Sequence, residues 1–278
     1  MGKFITNIHP PSGFSLGLKE LWQYRELFYF FTWRDIKVKY KQTYLGILWA
    51  LLQPLGMMLI FTFLFSKTWK IDTTPVHYPI FVLAGLILWN LFSASVSHAG
   101  ESMIRNANII SKIYFPRLVI PCSSILVALF DFMMGLLIFI VFCIIYKQPV
   151  SWSAILYAPA AVLLTLMAAF GTGTFLAALN VKYRDFRYII PFVVQFGLFI
   201  SPVFYSTTAI QERFGDTGRV LIALNPMVGI IDGFRWAVCG TTELHWPSFA
   251  LSTALSVLLL ILGVWYFRRT EKTFADVI

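Results

Sequence analysis

Residues that could do chemistry are few and scattered in this chain of 278 residues. No glycine-rich loop of the form GxxxxGK[ST] occurs, so the sequence offers no recognisable cradle for ATP phosphates. The three cysteines have neither paired nor metal-ligand spacing, and no HExxH motif occurs. The histidines stand singly at His9, His77, His98 and His245. We therefore expect no catalytic residue, no metal site and no cofactor held by this chain.

The composition shows why so few polar groups are present. The chain is 58% apolar and 13% charged, with a mean hydropathy of +0.74. A soluble domain is about one quarter charged, and this chain has too few charges to cover a surface that faces water. Soluble globular folds, disordered chains and disulfide scaffolds are excluded, which leaves a membrane protein.

Six apolar windows are long enough to cross about 30 Å of hydrocarbon as helices. They cover residues 45–66, 78–98, 118–146, 154–180, 189–205 and 248–267. Asp131 is the only formally charged residue inside them. Since backbone amides inside a bilayer must be bonded within their own segment, we predict an all-α integral membrane protein with six transmembrane helices.

The basic residues predict the orientation of these spans. Six crossings place both termini on one side, and the segments on that side carry 16 of the 22 Lys and Arg residues. Basic residues accumulate on the cytoplasmic side, so both termini are predicted to be cytoplasmic. This bias accounts for much of the net charge of +9, and no nucleic-acid partner is needed to explain it.

The N-terminal segment, residues 1–44, contains an amphipathic helix. From Lys19 to Lys41, polar residues recur every three or four positions beside an aromatic stripe. A basic cluster lies just before the first span and consists of Arg34, Lys37, Lys39 and Lys41. One interpretation is an interfacial anchor for that span. The other adds attraction of the phosphates of a lipid-linked substrate to the cluster.

Residues 99–117 form a cytoplasmic segment between the second and third predicted spans. Its apolar residues at 103, 104, 110 and 113 predict a short helix ended by Pro116. The segment can dock on a soluble partner, or it can be a solvated connector. Its candidate contact residues are Glu101, Arg105, Asn106, Lys112, Tyr114 and Arg117.

The outward segment, residues 206–247, contains apolar stretches at 220–224 and 227–238, separated by Asn225-Pro226. Each is too short to cross the membrane. A re-entrant helical hairpin that turns at Asn-Pro follows, and a simple cap on the bundle is the alternative.

Asp131 is a functional candidate because an unpaired carboxylate is costly at membrane depth. The alternative is a structural carboxylate that is protonated or bonded to its helix, facing Gln53, Asn90 or Gln195. The cluster Gly171-Thr172-Gly173-Thr174 indicates close helix packing. Most aromatic residues in the spans are expected to face lipid or to pack, while a minority presents flat faces along which sugar rings slide. The candidates for that minority are Trp49, Trp89, Phe92, Phe196 and Phe199.

Four motifs together resemble the membrane subunits of polysaccharide-exporting ABC transporters of the ABC-2 type. The most specific is WRDIKVKYKQTYLGILW at residues 33–49, followed by Gln53-Pro54. The others follow in order along nearly the whole chain. They are YFPR at 114–117, NVKYRD at 180–185, and the stretch from Asn225-Pro226-Met227 to Arg235.

This resemblance implies a homodimer in the bacterial cytoplasmic membrane that encloses the export path. It also implies two copies of a separate ATPase, which bind the ATP and Mg. Residues 99–117 become the coupling segment, and residues 206–247, with Asn225, Pro226 and Arg235, become outward gate helices. The implied substrate is lipid-linked O-antigen, capsular polysaccharide or teichoic acid, commonly on undecaprenyl pyrophosphate for O-antigen.

Three other functions are possible at this point. An ABC-2 exporter of a small molecule or drug would share the architecture. A membrane-embedded glycan-modifying enzyme, such as an acyltransferase, would use His98 or Asp131. A proton-coupled transporter would need more than the single Asp within the spans, and the two halves of the sequence show no internal repeat.

Overall fold

The computed structural model describes residues 22–41, 46–68, 76–183, 185–240 and 244–274. Residues 241–243 of the predicted outward segment and residues 275–278 of the C-terminus lie outside these ranges, as do three further parts of the predictions. They are residues 1–21, with the predicted helix start at Lys19, residues 42–45 of the 33–49 motif, and Arg184 of the 180–185 motif.

The described residues form helices and contain no strand. We number the helices α1 to α10 in chain order: α1 (Arg25–Lys41), α2 (Gly46–Phe61), α3 (Tyr78–Arg105), α4 (Ala107–Ile110), α5 (Val119–Ile145), α6 (Ala154–Lys182), α7 (Phe186–Ile200), α8 (Thr207–Ala223), α9 (Pro226–Cys239) and α10 (Trp246–Thr270). A π-helical stretch, Thr62–Thr68, continues α2, and a 3₁₀ turn, Glu271–Thr273, follows α10.

Five described segments are long and apolar enough to cross a bilayer. They are Leu48–Phe65, Tyr78–Arg105, Val119–Ile145, Ala154–Lys182 and Trp246–Thr273. Helices α8 and α9 meet at a bend of 109° and pass the same test together, which raises the count to six if the pair is one broken span. The protein is therefore an all-α membrane protein with five to six candidate spans, as the composition predicted.

The fifth predicted window, 189–205, corresponds to α7, which ends at Ile200. A helix of 15 residues is about 22 Å long, which is shorter than the hydrocarbon core. The helix ends because Ser201, which precedes Pro202, is extended, with φ −80° and ψ 145°. A residue before proline is biased to this conformation, so the predicted end at 205 was wrong.

Helix α3 is the centre of the bundle and packs against α5, α6 and α9. Most of its residues from Tyr78 to Leu91 are buried, as expected for a helix that is apolar on all sides. Helices α6 and α10 cross at two glycines. A Cβ atom at Gly171 would lie 2.2 Å from the Leu259 carbonyl oxygen, and one at Gly263 would lie 1.9 Å from the Gly171 carbonyl oxygen. The prediction of close helix packing at Gly171 is confirmed.

The coupling segment differs from its predicted form. Helix α3 continues to Arg105, beyond the predicted end of the second span at 98, and α4 spans only Ala107–Ile110. The prediction that the short helix ends at Pro116 was therefore wrong. Asn106 separates the two helices, and its side-chain amide donates to the Ser102 carbonyl oxygen at 2.9 Å. The spacing of apolar residues in the sequence could not predict a helix break that is made by a polar side chain.

The described part of the outward segment contains α8 and α9, which meet at Asn225-Pro226, and α8 is kinked at Gly215, where φ is 67°. The Asn225 side chain accepts a hydrogen bond from the Met227 amide at 3.0 Å, and Pro226 is the first residue of α9. These are the favoured residues at those two positions. Helix α8 begins at Thr207, well before the apolar stretch predicted from Val220, because Ser206 caps it by accepting from the Thr208 amide at 3.1 Å.

Candidate functional site

Asp131 is joined to two residues of α1. Lys39 Nζ lies 2.5 Å from Asp131 Oδ2, and the Tyr40 hydroxyl donates to Asp131 Oδ1. Burial, followed by the hydrogen bond to Asp131, raises the pKa of the Tyr40 hydroxyl above its ordinary value. The hydroxyl therefore remains protonated and acts as a donor. The carboxylate is stabilised by a cation and a phenol from outside its own helix.

The two helices bring these residues together through their packing. Asp131 is the thirteenth residue of α5, about 18 Å along the helix axis from its start. Helix α1 packs against α5, and the Tyr40 ring lies 5.3 Å from the Phe130 ring. The C-terminal turn of α1 thus lies against the middle of α5 and supplies the countercharge at that depth.

A cavity of about 750 Å³ opens beside this ion pair. It lies between α1, α2, α3 and α5, with Val194 of α7 at one edge. Apolar and polar side chains both line it, and half of the polar ones come from the middle part of α3. These polar lining residues are Lys39, Tyr40, Gln53, Asn90, Ser93, Ser97, His98 and Asp131.

Several polar groups of the lining have no protein partner among the described residues. The amides of Gln53 and Asn90 and the hydroxyl of Ser97 make no side-chain hydrogen bond there, whereas Ser93 donates to the Asn90 carbonyl oxygen at 3.2 Å. Asn90 and Ser97 are half-buried and Gln53 is exposed, so water or a ligand in the cavity is the partner available to these groups.

The basic cluster of α1 divides into residues that face the protein and residues that face outward. Lys39 lies against Asp131, and Arg34 donates to Asp35 and to Asn106, each at 2.8 Å. Lys37 and Lys41 are exposed. Lys37 lies 5.2 Å above the Trp33 ring, and no carboxylate in the described ranges lies within 4.0 Å of either lysine.

The coupling segment presents both charge and exposed apolar surface. Arg105 pairs with Glu101 at 2.9 Å, and Lys112 is exposed. Ile113 and Tyr114 are 62% and 68% exposed, although both are large apolar side chains. Arg117 lies over the ring of Phe274 at 5.9 Å, close to the end of α10. An exposed patch with this mixture is typical of a contact surface for another protein.

Arg235 is buried within α9 and fixes the non-helical residues after α7. Its guanidinium donates to the carbonyl oxygens of Phe81 at 3.1 Å, Pro202 at 2.6 Å and Val203 at 2.7 Å. It also lies 3.6 Å above the Phe81 ring. Gly85 provides the room, since a Cβ atom there would lie 2.6 Å from Arg235 Nη2.

The predicted channel aromatics fall into two groups. Trp49, Phe196 and Phe199 are between 55% and 60% exposed, on α2 and α7. Trp89 is buried, and its ring touches the backbone of α7, where a Cβ atom at Gly197 would lie 2.7 Å from it. Phe92 is half-buried beside Trp89, with the ring centroids 5.4 Å apart. In this arrangement Trp89 and Phe92 pack between helices, while the exposed three are available to a path.

Sequence reasoning missed the partners of Asp131. Of the three amides considered for it, Gln53 and Asn90 line the same cavity, while Gln195 is exposed and outside it. The bonded partners are Lys39 and Tyr40, more than 90 positions away. The available signal was the rule that a charge at membrane depth takes an opposite charge as its partner.

These contacts lie on helices that match a known family. A family model described as the ABC-2 type transporter matches residues 26–239, from α1 to the end of α9. The chain belongs to the ABC-2 type transporter family. The matched range contains Asp131 and its cavity, the coupling segment and the Arg235 contacts.

Curated relatives resemble this ABC-2 chain over nearly its whole length. An O-antigen export system permease protein, RfbA, of Myxococcus xanthus is 31% identical over 93% of this chain and 98% of its own. A protein of the same name from Klebsiella pneumoniae is 26% identical over 88% and 92%. A polysialic acid transport protein, KpsM, of Escherichia coli is 21% identical over 86% and 91%. The ABC-2 chain is thus similar to transport permeases and functions as a multi-pass membrane transport protein rather than as an enzyme.

Proposed function

We propose that this chain is the permease subunit of an ATP-driven exporter that moves lipid-linked polysaccharide across the bacterial cytoplasmic membrane. The observation that carries the proposal is the 31% identity to an O-antigen export permease over 98% of that protein's length. The polysialic acid transport protein is less similar, at 21% identity. O-antigen is therefore the cargo we favour over capsular polysaccharide and teichoic acid.

A homodimer supplies the path. The outer faces of α2 and α7 are apolar and exposed in one protomer. On α7 this face consists of Phe192, Val193, Phe196 and Phe199. We assign these faces to the homodimer interface that the resemblance implies, because a two-fold interface buries the same face of both copies. When two copies bury these faces, the exposed aromatics Trp49, Phe196 and Phe199 lie along the line between the protomers. Their flat faces suit sugar rings that move past without tight binding.

Two copies of a separate ATPase provide the energy. They bind ATP and Mg, for which this chain has no phosphate-binding loop. Their contact surface on this chain is the coupling segment, where Ile113 and Tyr114 are exposed beside Arg105 and Lys112. Both termini and this segment lie on the cytoplasmic side, in agreement with the positive-inside bias.

Lys37 and Lys41 attract the phosphates of the lipid carrier. Both are exposed on α1 and have no carboxylate partner in the described ranges. Exposed lysines beside a membrane surface attract anionic lipid headgroups. Arg34 has a different role, since it is bonded to Asp35 and Asn106 and so joins α1 to the coupling segment.

Movement follows from this connection. ATP binding and hydrolysis shift the coupling segment between two packed arrangements, and packed helices transmit such a shift as rigid bodies. The contact of Arg34 with Asn106 carries it to α1. The long helix α3 carries it toward Arg235 and the bend between α8 and α9, which we assign as the outward gate.

Deletion of this chain tests the proposal. We expect cells that lack it to accumulate lipid-linked polymer on the cytoplasmic face, and a plasmid copy to restore polymer at the cell surface. Measurement of polymer in intact and in opened cells separates the two pools. Normal surface polymer in the deletion strain would contradict the proposal, and loss of small-molecule efflux instead would favour the drug-exporter alternative.

A further inference from the structure

We propose that the cavity beside Asp131 is a sugar-binding subsite within each protomer, which takes the uncharged sugar residues next to the lipid phosphate. The inference rests on the proposed function and adds to it where the cargo is held first. In this inference, Lys37 and Lys41 attract the phosphate, and the groups that line the cavity contact the glycan.

The charges of the lining favour an uncharged ligand. Lys39 and Asp131 are the formally charged residues among the lining side chains, and they pair with each other at 2.5 Å. Tyr40 donates a further hydrogen bond to the same carboxylate. With the two charges paired, the cavity has no surplus cation for a phosphate and no surplus anion for a cation.

The remaining polar groups fit hydroxyl-bearing ligands. The amides of Gln53 and Asn90 each offer a donor and an acceptor, and the hydroxyl of Ser97 offers both. None of the three has a side-chain hydrogen-bond partner in the described part of the chain. A sugar presents hydroxyl groups that donate and accept around its ring, and the unpaired amides provide the matching groups.

The aromatic and spatial features agree with this chemistry. Tyr40 and Trp49 both line the cavity, and Trp49 is also exposed toward the proposed path between the protomers. Flat aromatic faces contact the apolar faces of sugar rings. The volume of about 750 Å³ lies within the range of about 300–1,000 Å³ for small-molecule sites. The space is sufficient for more than one monosaccharide unit.

The position of the cavity also fits a lipid-linked sugar. Lys41 lies two residues after Lys39 on α1, a rise of about 3 Å along the helix axis. Two residues turn the helix by about 200°, so Lys37 and Lys41 point to the side of α1 opposite Lys39, and a phosphate attracted to them lies about one helix diameter, 10–12 Å, from the cavity. The sugars that follow this phosphate along the polymer span that distance and reach Asn90 and Trp49.

Photo-crosslinking in cells that make the polymer tests this subsite and works whatever the identity of the sugar. We would place p-benzoylphenylalanine at Phe132, which lines the cavity and is 4% exposed, so that it reaches a ligand from within the protomer. After irradiation, the purified protein is oxidised with periodate and stained with a hydrazide dye, which marks vicinal diols of a glycan and not an isoprenoid chain.

The crosslinker is also placed at two control positions, Phe142 and Phe196. Phe142 lies on the same helix and outside the cavity, and Phe196 is exposed on α7 along the proposed dimer path. We expect a stained adduct at Phe132, none at Phe142, and a several-fold lower yield at Phe132 when Asn90→Leu is added. Gln195→Leu removes an exposed amide outside the cavity and should leave that yield unchanged.

The outcomes distinguish this inference from the proposed function. An adduct at Phe132 without glycan stain, or no adduct there while Phe196 gives a stained one, would overturn the subsite and leave polysaccharide export intact. No stained adduct at either position, in cells whose deletion strain still accumulates lipid-linked polymer, would also overturn the subsite alone. Normal polymer export in the deletion strain would overturn both.

Discussion

Arg34 on α1 donates from Nη2 to the side-chain oxygen of Asn106 at 2.8 Å, which joins the interface helix to the end of α3. Asn106 is buried, and its side-chain amide nitrogen donates a hydrogen bond to the Ser102 carbonyl oxygen at 2.9 Å. The rings of Phe31 and Phe115 meet beside this contact, with centroids 5.9 Å apart. A movement of the coupling segment therefore acts on α1 directly.

Removal of this contact should weaken coupling. A hydrogen bond that involves a charged group contributes about 1.5–3 kcal/mol, and about 1.4 kcal/mol is a tenfold change in an equilibrium. We expect Arg34→Ala to lower polymer export about tenfold while the amount of protein in the membrane stays normal. Asn106→Ala should give a similar loss, and the double variant should be no worse than either alone. Additive losses in the double variant would contradict a shared role.

Reversal of charge at the exposed lysines tests the attraction of phosphate. Lys37→Glu and Lys41→Glu should each reduce export several-fold, because a carboxylate repels the lipid phosphates. Arg25→Glu is the matched control, since it makes the same change of charge at the other end of α1. Export and membrane insertion are measured together, and equal effects on both would exclude a role in phosphate attraction. Lys39→Glu is a separate experiment, since it would place a second carboxylate beside Asp131.

The coupling segment is expected to carry the ATPase contact. Arg105→Glu together with Lys112→Glu should abolish stimulation of the ATPase by the permease, because both side chains are exposed on one short stretch. Lys147→Glu changes an exposed lysine at the far end of α5 and should have no effect on stimulation. The measurement is the ATPase rate of the reconstituted complex, with co-purification of the two subunits. Unchanged co-purification and rate in the double variant would reject this interface.

Much of the architecture could be predicted from the sequence because the membrane simplifies the problem. A charge-free apolar window of about twenty residues must form a helix, so helix positions followed from composition. Asn225-Pro226 and the glycines at 171 and 173 also kept their predicted roles, since capping and close packing depend on local residue type.

The candidate site could not be predicted to the same extent. The contact of Asp131 with Lys39 and Tyr40 depends on how α1 lies across α5, and periodicity within one helix does not determine packing between helices. The contact of Arg34 with Asn106 depends on the packing of α1 in the same way. Arg235 was assigned to a gate from its motif, while its three backbone partners on α3 and after α7 follow only from the fold.

Two glycines give a matched test of helix packing. Gly171→Ala places a methyl group 2.2 Å from the Leu259 carbonyl oxygen, and we expect the overpacking to cost about 1–3 kcal/mol. Gly56→Ala meets no atom within 4 Å, and the better helix former should be neutral or stabilising by up to about 1 kcal/mol. The free energy of unfolding in mixed micelles measures both. If the two variants were equally stable, α6 and α10 would not cross at Gly171.

The buried guanidinium of Arg235 should hold the segment after α7 closed. Arg235→Met preserves the bulk of the side chain but leaves the carbonyl oxygens of Phe81, Pro202 and Val203 without their donor. Each buried acceptor that loses its partner costs about 1–3 kcal/mol, so the segment should open before the rest of the protein unfolds. A cysteine at Val203, which is fully buried, reports this opening when the natural cysteines are replaced by serine.

In that background, thiol labelling at position 203 should be slow with Arg235 present and at least tenfold faster in Arg235→Met. Arg213→Met removes an exposed cation from α8 and should leave the rate slow. Arg235→Lys keeps the charge but cannot reach three carbonyl oxygens with the same planar geometry, so its rate should be intermediate. Equal labelling in all four proteins would mean that other contacts close the segment. The hydrogen bond from the Tyr78 hydroxyl to the Phe204 carbonyl oxygen at 2.9 Å would then be the first contact to remove.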